Sequence, residues 1–276
     1  MYKEEAEKID KAPSGPVILA VETSSRTGSV ALARGHVLCE ETRFSAPMQH
    51  SAEIFPALAG LLERHGLRPS DAEQLHLAIG PGSFTGLRIA VTVAKAMHLA
   101  AGTRLVAVDS LDVLAANADE SVAEVTPETP DNVDCEAPDR IATVFDAKRG
   151  QFYAAIYERT TERLATTDDA YRVPAPGGAR WRKTAPDRLM TAMEILEAAT
   201  TTGAGRFAIL GDGLLYHRDK FLTGGIRILP ESYWGPRAGN VHRLGYQKAL
   251  AGRFEDPSVL TPFYLRGPQV TLRRRG

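Results

Sequence analysis

Two distant stretches of the chain follow one plan, and that repeat constrains the fold more than anything else in the sequence. "VILAVETSSRTGSVALARG", from Val17 to Gly35, reads as an apolar strand ending in an acidic residue, a polar turn, and a second strand with Val30 and Leu32 on one face. "IATVFDAKRGQFYAAIYER", 141–159, gives the same order: apolar strand, acidic residue, basic and glycine turn, apolar strand. Glu22 and Asp146 end the two first strands. The turn glycines, Gly28 and Gly150, stand at different offsets, so the repeat is approximate. A supersecondary unit that occurs twice predicts two related lobes.

Helical patterns lie between and after these hairpins. "QHSAEIFPALAGLLERHG" predicts a helix over 51–65 with Ile54, Phe55, Leu58, Leu61 and Leu62 on one face. Ser51 is its expected N-cap, Gly66 its close, and Pro56 a bend. "LHLAI" (75–79) reads as a third strand, 86–101 as a helix, and "RLVAV" (104–108) as a strand. "SLDVLAANA" starts a helix capped by Ser110. Residues 160–205 are polar and irregular around one helix, "DRLMTAMEILEAA". "FAILGDG" then reads as a strand, "NVHRLGYQKALAG" as a helix, and "TPFYLR" as an extended segment. Alternation of strands and helices means an α/β fold, with mixed sheets because each lobe opens on a hairpin. The expected division is an extension over 1–16, an N-terminal lobe over 17–113, a second lobe over 114–239, and a helix and tail over 240–276.

With 43% hydrophobic and 24% charged residues among 276, the composition is that of an ordinary soluble protein. A net charge of −1 supplies no global attraction for nucleic acid or an anionic membrane, leaving Arg273, Arg274 and Arg275 as a locally basic tail. Cys39 and Cys135 are far apart and have no metal spacing, which fits a reducing cytoplasm. The first residues, "MYKEEAEKIDKAPSGP", lack the apolar core of a signal peptide, and no apolar run is long enough to span a membrane. The segment 117–139 holds eight acidic residues, three prolines and no basic residue, so it reads as a solvated loop. A cytoplasmic location is expected.

The stretch "AIGPGSFTGLRIAVTVAKAMHLAAG" (78–102) is the candidate for chemistry. Five residues separate Gly80 from Gly86, and Leu87 stands where a P-loop needs lysine. Gly82 to Gly86 is one residue too long for the dinucleotide fingerprint. Two readings stay open: a tight turn into a helix, or an anion site built from Ser83, Thr85, helix-terminal N–H groups and Arg88. The helix that follows carries Ile89, Val91, Val93, Met97 and Leu99 around its whole circumference, which predicts burial on all sides. Its outer face is expected to meet the 51–65 helix or another protein. The histidines at 36, 50, 65, 76, 98, 217 and 242 include no pair three or four apart, so no helix offers two imidazoles to a metal. Glu22 and Asp146 fit either a magnesium-bound nucleotide between lobes or simple turn caps.

Taken in order, "ILAVETSSRTGSVAL", "GPGSFTGLRIAVTVAKAM", "VAVDSLDVLAANA", "FDAKRGQFYAAIY", "LGDG" and "FYLR" resemble the TsaB (YeaZ-type) family, strongly from Val17 to Tyr157 and thinly thereafter. The resemblance implies an actin-like ASKHA (ribonuclease H-like) fold of two duplicated lobes. It also implies a paralogue of the TsaD subunit, which transfers threonylcarbamoyl to the adenosine beside the tRNA anticodon. TsaD-like proteins carry an H-x-x-x-H metal pair on the helix matching 51–65, where this chain has His50 and Ile54. The implied role is therefore a non-catalytic partner with no metal of its own, the alternative being an ATP-dependent transferase or metallopeptidase acting alone. The implied interface consists of Ser51, Ile54, Phe55, Leu58, Leu62, Ala90, Val93, Ala94 and Met97, with Gly82, Ser83, Thr85, Gly86 and Arg88 at its edge. A TsaE-like ATPase is expected near that edge, tRNA is expected to be met indirectly, and the same helices suit a homodimer. Glu22, Thr23 and Asp146 are the nucleotide-facing candidates; no firmly bound cofactor is expected, and ATP or ADP with magnesium is a candidate ligand at the partner interface only. Glu22 stands where many relatives have aspartate, and the acidic loop and N-terminal extension are longer than the family pattern.

Overall fold

A run such as VILAV places apolar side chains on both faces of a strand, which suits the centre of a sheet covered on both sides. In the computed structural model that run is β1 (Val17–Glu22), buried along its whole length. Residues 14–119, 137–160, 172–173, 180–201, 205–222 and 225–267 are described. Cys135, most of the acidic loop, the residues before 14 and Arg273–Arg275 lie outside them. β1 pairs antiparallel with β2 (Ser29–Arg34), and β2 with β3 (Val37–Arg43). β4 (Gln74–Ala78) and β5 (Arg104–Val108) add in parallel, giving the order β3-β2-β1-β4-β5. "LHLAI" is thus the fourth strand. β3 escapes sequence reading because "VLCEETR" is a half-exposed edge with no apolar alternation.

On one face of this sheet lie α1 (His50–Arg64) and α2 (Phe84–Ala101), whose Ile54, Leu58, Leu61, Ala90 and Val93 join Leu19 and Val21 in one core cluster. Gly66 closes α1 as expected, with Leu67 N–H bonding back to the Leu62 carbonyl at 2.8 Å. Ser51 is not the N-cap: α1 begins one residue earlier, after Gln49. Pro56 sits inside α1 without ending it. α3 (Ser110–Ala115) is likewise capped by Asp109, which accepts from Leu111 N and Asp112 N. Ser110 instead uses its hydroxyl to accept Gly80 N–H at 2.9 Å.

The second lobe repeats the plan. β6 (Arg140–Asp146) and β7 (Gln151–Thr160) form the antiparallel hairpin, and β8 (Arg172–Val173), β9 (Arg180–Lys183) and β10 (Arg188–Thr191) extend it. The Arg188–Thr191 stretch was expected within a helix; pairing with β7 makes it a strand, and α4 (Ala192–Thr201) starts after it. β11 (Phe207–Leu210), α5 (Leu214–His217) and β12 (Arg227–Ile228) follow, with β11 parallel to β6 and β12 parallel to β11. The core order β9-β7-β6-β11-β12 is that of β3-β2-β1-β4-β5 over again. This is the two-lobe, duplicated actin-like ASKHA fold.

The last helix, α6 (Ala238–Leu250), returns to the first lobe and packs across β1, β2, β4 and β5 on the face opposite α1 and α2. The helix expected from 240 is therefore part of the first lobe rather than an appendage. Among the described residues no helix is long and apolar enough to cross a membrane.

Candidate functional site: the cleft between the lobes

The first strand of each lobe ends at a common cleft, where the helix α2 corner of one lobe faces the β6–β7 turn of the other. Its cavity of about 540 Å³ is lined by Ser24, Ser25, Arg26, Ser83, Phe84 and Thr85 on one side and by Asp146, Lys148, Tyr153, Asp212 and Tyr216 on the other. That volume lies in the range of small-ligand pockets.

The "GPGSFTG" corner is sewn to the end of β1. Ser83 N–H donates to the Ser24 carbonyl at 2.7 Å, and Thr23 Oγ1 donates to the Gly86 carbonyl at 2.8 Å. Ser83 Oγ accepts Gly86 N–H at 3.3 Å, so this hydroxyl serves as the α2 N-cap. Gly86 is required by contact: a Cβ there would stand 1.9 Å from the Thr23 carbonyl oxygen, a backbone atom that cannot swing aside. Gly86→Ala is expected to cost about 2 kcal/mol despite the better helix propensity of alanine. A denaturant titration checks this, and an unchanged midpoint would mean the corner is free to shift.

The carboxyls around the cleft divide by environment. Asp146 Oδ2 holds Lys148 Nζ at 2.6 Å, and Oδ1 accepts Lys148 N–H at 2.7 Å. Burial alone would raise this carboxyl, yet the Lys148 contacts hold it below the usual range. Asp212, in the "LGDG" turn, is pushed up to about 6 by burial, against the opposing pull of the Arg26 N–H at 3.4 Å. Glu22 is pushed up to about 7, chiefly by burial, although Ser24 N–H and Oγ–H both donate to it. Arg26 and Lys148 flank one aromatic ring, at 5.3 and 5.9 Å from the centroid of Tyr216.

Of the three nucleotide-facing candidates, only Asp146 lines the cleft. Glu22 and Thr23 are fully buried and spend their polar groups within the β1–α2 corner, because the close packing of that corner turns both side chains inward. Asp212 lines the same wall of the cleft as Asp146, and an isolated "LGDG" could have signalled it. A magnesium ion would have to displace Lys148 from Asp146, and the other strand-end carboxylate, Glu22, is turned away. Among the described residues, the strand-end carboxylates as they stand do not fit a magnesium–nucleotide complex.

The interface candidates also separate. Ile54, Leu58, Leu62, Ala90, Val93 and Ala94 are buried in the core of their own lobe, Met97 is half-buried, and Ser51 and Phe55 are exposed. Hydrophobic periodicity found the face that covers the sheet, where each buried leucine, isoleucine or valine stabilises the fold by roughly 1.5–3 kcal/mol. Phe55 does not share that face and is 59% exposed. α2 is not buried all round either: Thr85, Arg88, Thr92, Ala96 and Leu99 form its outer stripe, with Leu99 at 84% exposure. On α1 the outer stripe is Ala52, Phe55, Pro56, Ala59 and Glu63. At the edge loop, Gly82 and Ser83 are half-buried, Gly86 is buried, and Thr85 and Arg88 reach the surface.

A family model described as "TsaD: tRNA N6-adenosine threonylcarbamoyltransferase" matches residues 45–208, more than half of the chain. The chain belongs to this family. Its similarities place it with the TsaB (YeaZ) type. It is 34% identical over 141 residues to the tRNA threonylcarbamoyladenosine biosynthesis protein TsaB of Bacillus subtilis, covering 51% of this chain and 55% of that one. The match thus spans about half the length of that relative. With the protein of the same name from Escherichia coli it is 28% identical over 249 residues, covering 90% of this chain and 94% of the other. A solved structure described as "an uncharacterized protein with similarity to peptidase YEAZ from Pseudomonas aeruginosa" superposes with a TM-score of 0.69 at 20% identity, over 91% of this chain and all of that one. At that identity the likeness shows the fold.

Proposed function

We propose that this chain is a non-catalytic subunit in the biosynthesis of tRNA threonylcarbamoyladenosine, binding and stabilising a TsaD-like catalytic subunit. The observation that carries the reading is the state of α1. His50 is buried with Nε2 donating to the Ser25 carbonyl at 3.0 Å, and burial holds its pKa below the ordinary value. Four residues on, where the metal pair of the resembling catalytic subunits needs a second imidazole, stands Ile54, wholly buried in the core. Among the described residues no group of three or more His, Cys, Asp or Glu side chains is placed to hold a metal ion.

The binding surface in this reading is the outer side of α1 and α2, with Phe55 and Leu99 as apolar anchors. The TsaE-like ATPase is assigned to the Arg88 edge, tRNA contact and nucleotide chemistry to the catalytic partner.

Phe55→Glu is expected to weaken association with the cognate TsaD-like subunit at least tenfold in a pulldown or titration while leaving the unfolding midpoint unchanged. A charge at Ala94 would not probe this surface, because Ala94 is fully buried and Ala94→Glu would disrupt the core. Unaltered binding by both Phe55→Glu and Leu99→Glu would sink the proposed surface. Stoichiometric, tightly held iron or zinc in the purified chain would overturn the non-catalytic role.

A further inference from the structure

We infer that the segment from Leu260 to Arg266 is a strap that pins the two walls of the cleft to each other, with Arg266 as its latch. The strap is anchored first in the N-terminal lobe. Glu255 N–H bonds to the Leu105 carbonyl at 2.9 Å, and Leu260 is buried in the same cluster as α1 and α2. Phe263 N–H then donates to the Ile79 carbonyl at 2.7 Å, at the mouth of the "GPGSFTG" corner. Tyr264 lies 5.0 Å from the Phe84 ring and accepts from Arg88 Nε at 3.2 Å, while the Arg88 guanidinium sits 3.9 Å over Phe84.

Two residues later the chain has crossed to the other lobe. Arg266 Nη1 donates to the Ala147 carbonyl at 2.9 Å, and Nη2 donates to Gln151 Oε1. Both acceptors belong to the β6–β7 turn, which is closed by Ala147 N–H on the Gln151 carbonyl at 3.0 Å. A planar guanidinium gripping two acceptors of one turn fixes orientation as well as distance.

Phe84 and Ala147 line opposite walls of the cleft. The contacts that hold them are made by Tyr264 and Arg266, and two residues of chain span at most about 7 Å. The walls therefore cannot part on this side unless Arg266 leaves the turn or Tyr264 leaves the α2 corner. Cleft width and the setting of the first turn of α2 become one coupled variable, which is a device built into the fold independently of the function proposed above.

Hydrogen exchange followed by mass spectrometry on the full chain tests this with wild type, Arg266→Ala and Gln151→Leu. The strap predicts that both variants speed exchange about tenfold or more in two separate places, the 147–151 turn and the 82–87 corner, with β1 and β6 unchanged. Gln151→Leu leaves the strap itself intact, so its effect at 82–87 has to cross between lobes. If Arg266→Ala does not fold, Gln151→Leu decides alone. Faster exchange confined to 262–267 in Arg266→Ala, or no change at 82–87 in Gln151→Leu, overturns the inference.

Discussion

Lys183→Met is expected to cost about 3–5 kcal/mol of stability at pH 8, the largest loss of any single substitution considered. The Lys183 side chain is only 4% exposed, and its ammonium lies 3.3 Å from Asp109, 2.9 Å from Asp112 and 2.6 Å from Asp187. Tyr157 adds a hydroxyl donor to Asp112 at 2.7 Å. Asp109 and Asp112 come from the start of α3, where the chain passes between lobes, whereas Lys183 and Asp187 come from the second lobe. Removing the ammonium strands three carboxylates in a poorly hydrated site, and leaving buried charge uncompensated is what makes such losses large. Burial already pushes Asp109 up to about 7 even against the attraction of Lys183, and it raises Asp112 as well. Without the lysine these carboxyls hold protons more tightly, so lowering the pH to 5.5 should recover part of the loss. Denaturant unfolding of both proteins at the two pH values measures it. A loss below about 1 kcal/mol, or one independent of pH, would show that the cluster is hydrated and relaxed.

Glu22→Gln is expected to act in the opposite direction, raising stability at pH 8 by up to about 3 kcal/mol. The folded carboxyl titrates at about 7, against 4.5 for an ordinary glutamate. Between those values the folded state binds more protons than the unfolded chain, so wild-type stability from this group is present at low pH and lost as pH rises through about 7. Glutamine imitates the protonated form at every pH. The advantage of the variant should therefore be full at pH 8 and largely gone by pH 5. An equal gap at both, or a destabilised variant at pH 8, would mean that Glu22 is ionised in the fold and needed in that form.

How far the sequence alone reaches differs from element to element. The hairpins of 17–35 and 141–159 were legible because their apolar runs are long and bounded by turns, and the expectation of two related lobes followed from them. β3 was not, since an edge strand half in water has no periodicity to read. "RLMT" looked helical because Leu189 and Met190 fit either pattern, and only pairing with β7 decides it. Most residues named for an interface on α1 and α2 proved to cover their own sheet, because an apolar stripe marks what a helix buries, and its first claimant is the sheet beneath. The Lys183 cluster left no trace: its aspartates look like solvated charges until the fold gathers them. Asp212 could have been singled out, since a carboxylate between two glycines after a strand is a turn position open to a cleft.

The return of α6 to the first sheet has a consequence for biogenesis. Strands β1 to β5 leave the ribosome early, yet the helix that covers their second face is made only after the entire second lobe. At roughly 5–20 residues per second, that sheet face waits on the order of ten seconds with Ala20, Ala31 and Ala78 bare. The first lobe is begun first and finished last, so a nascent chain stalled before Ala238 presents an unfinished sheet to whatever chaperone or partner meets it.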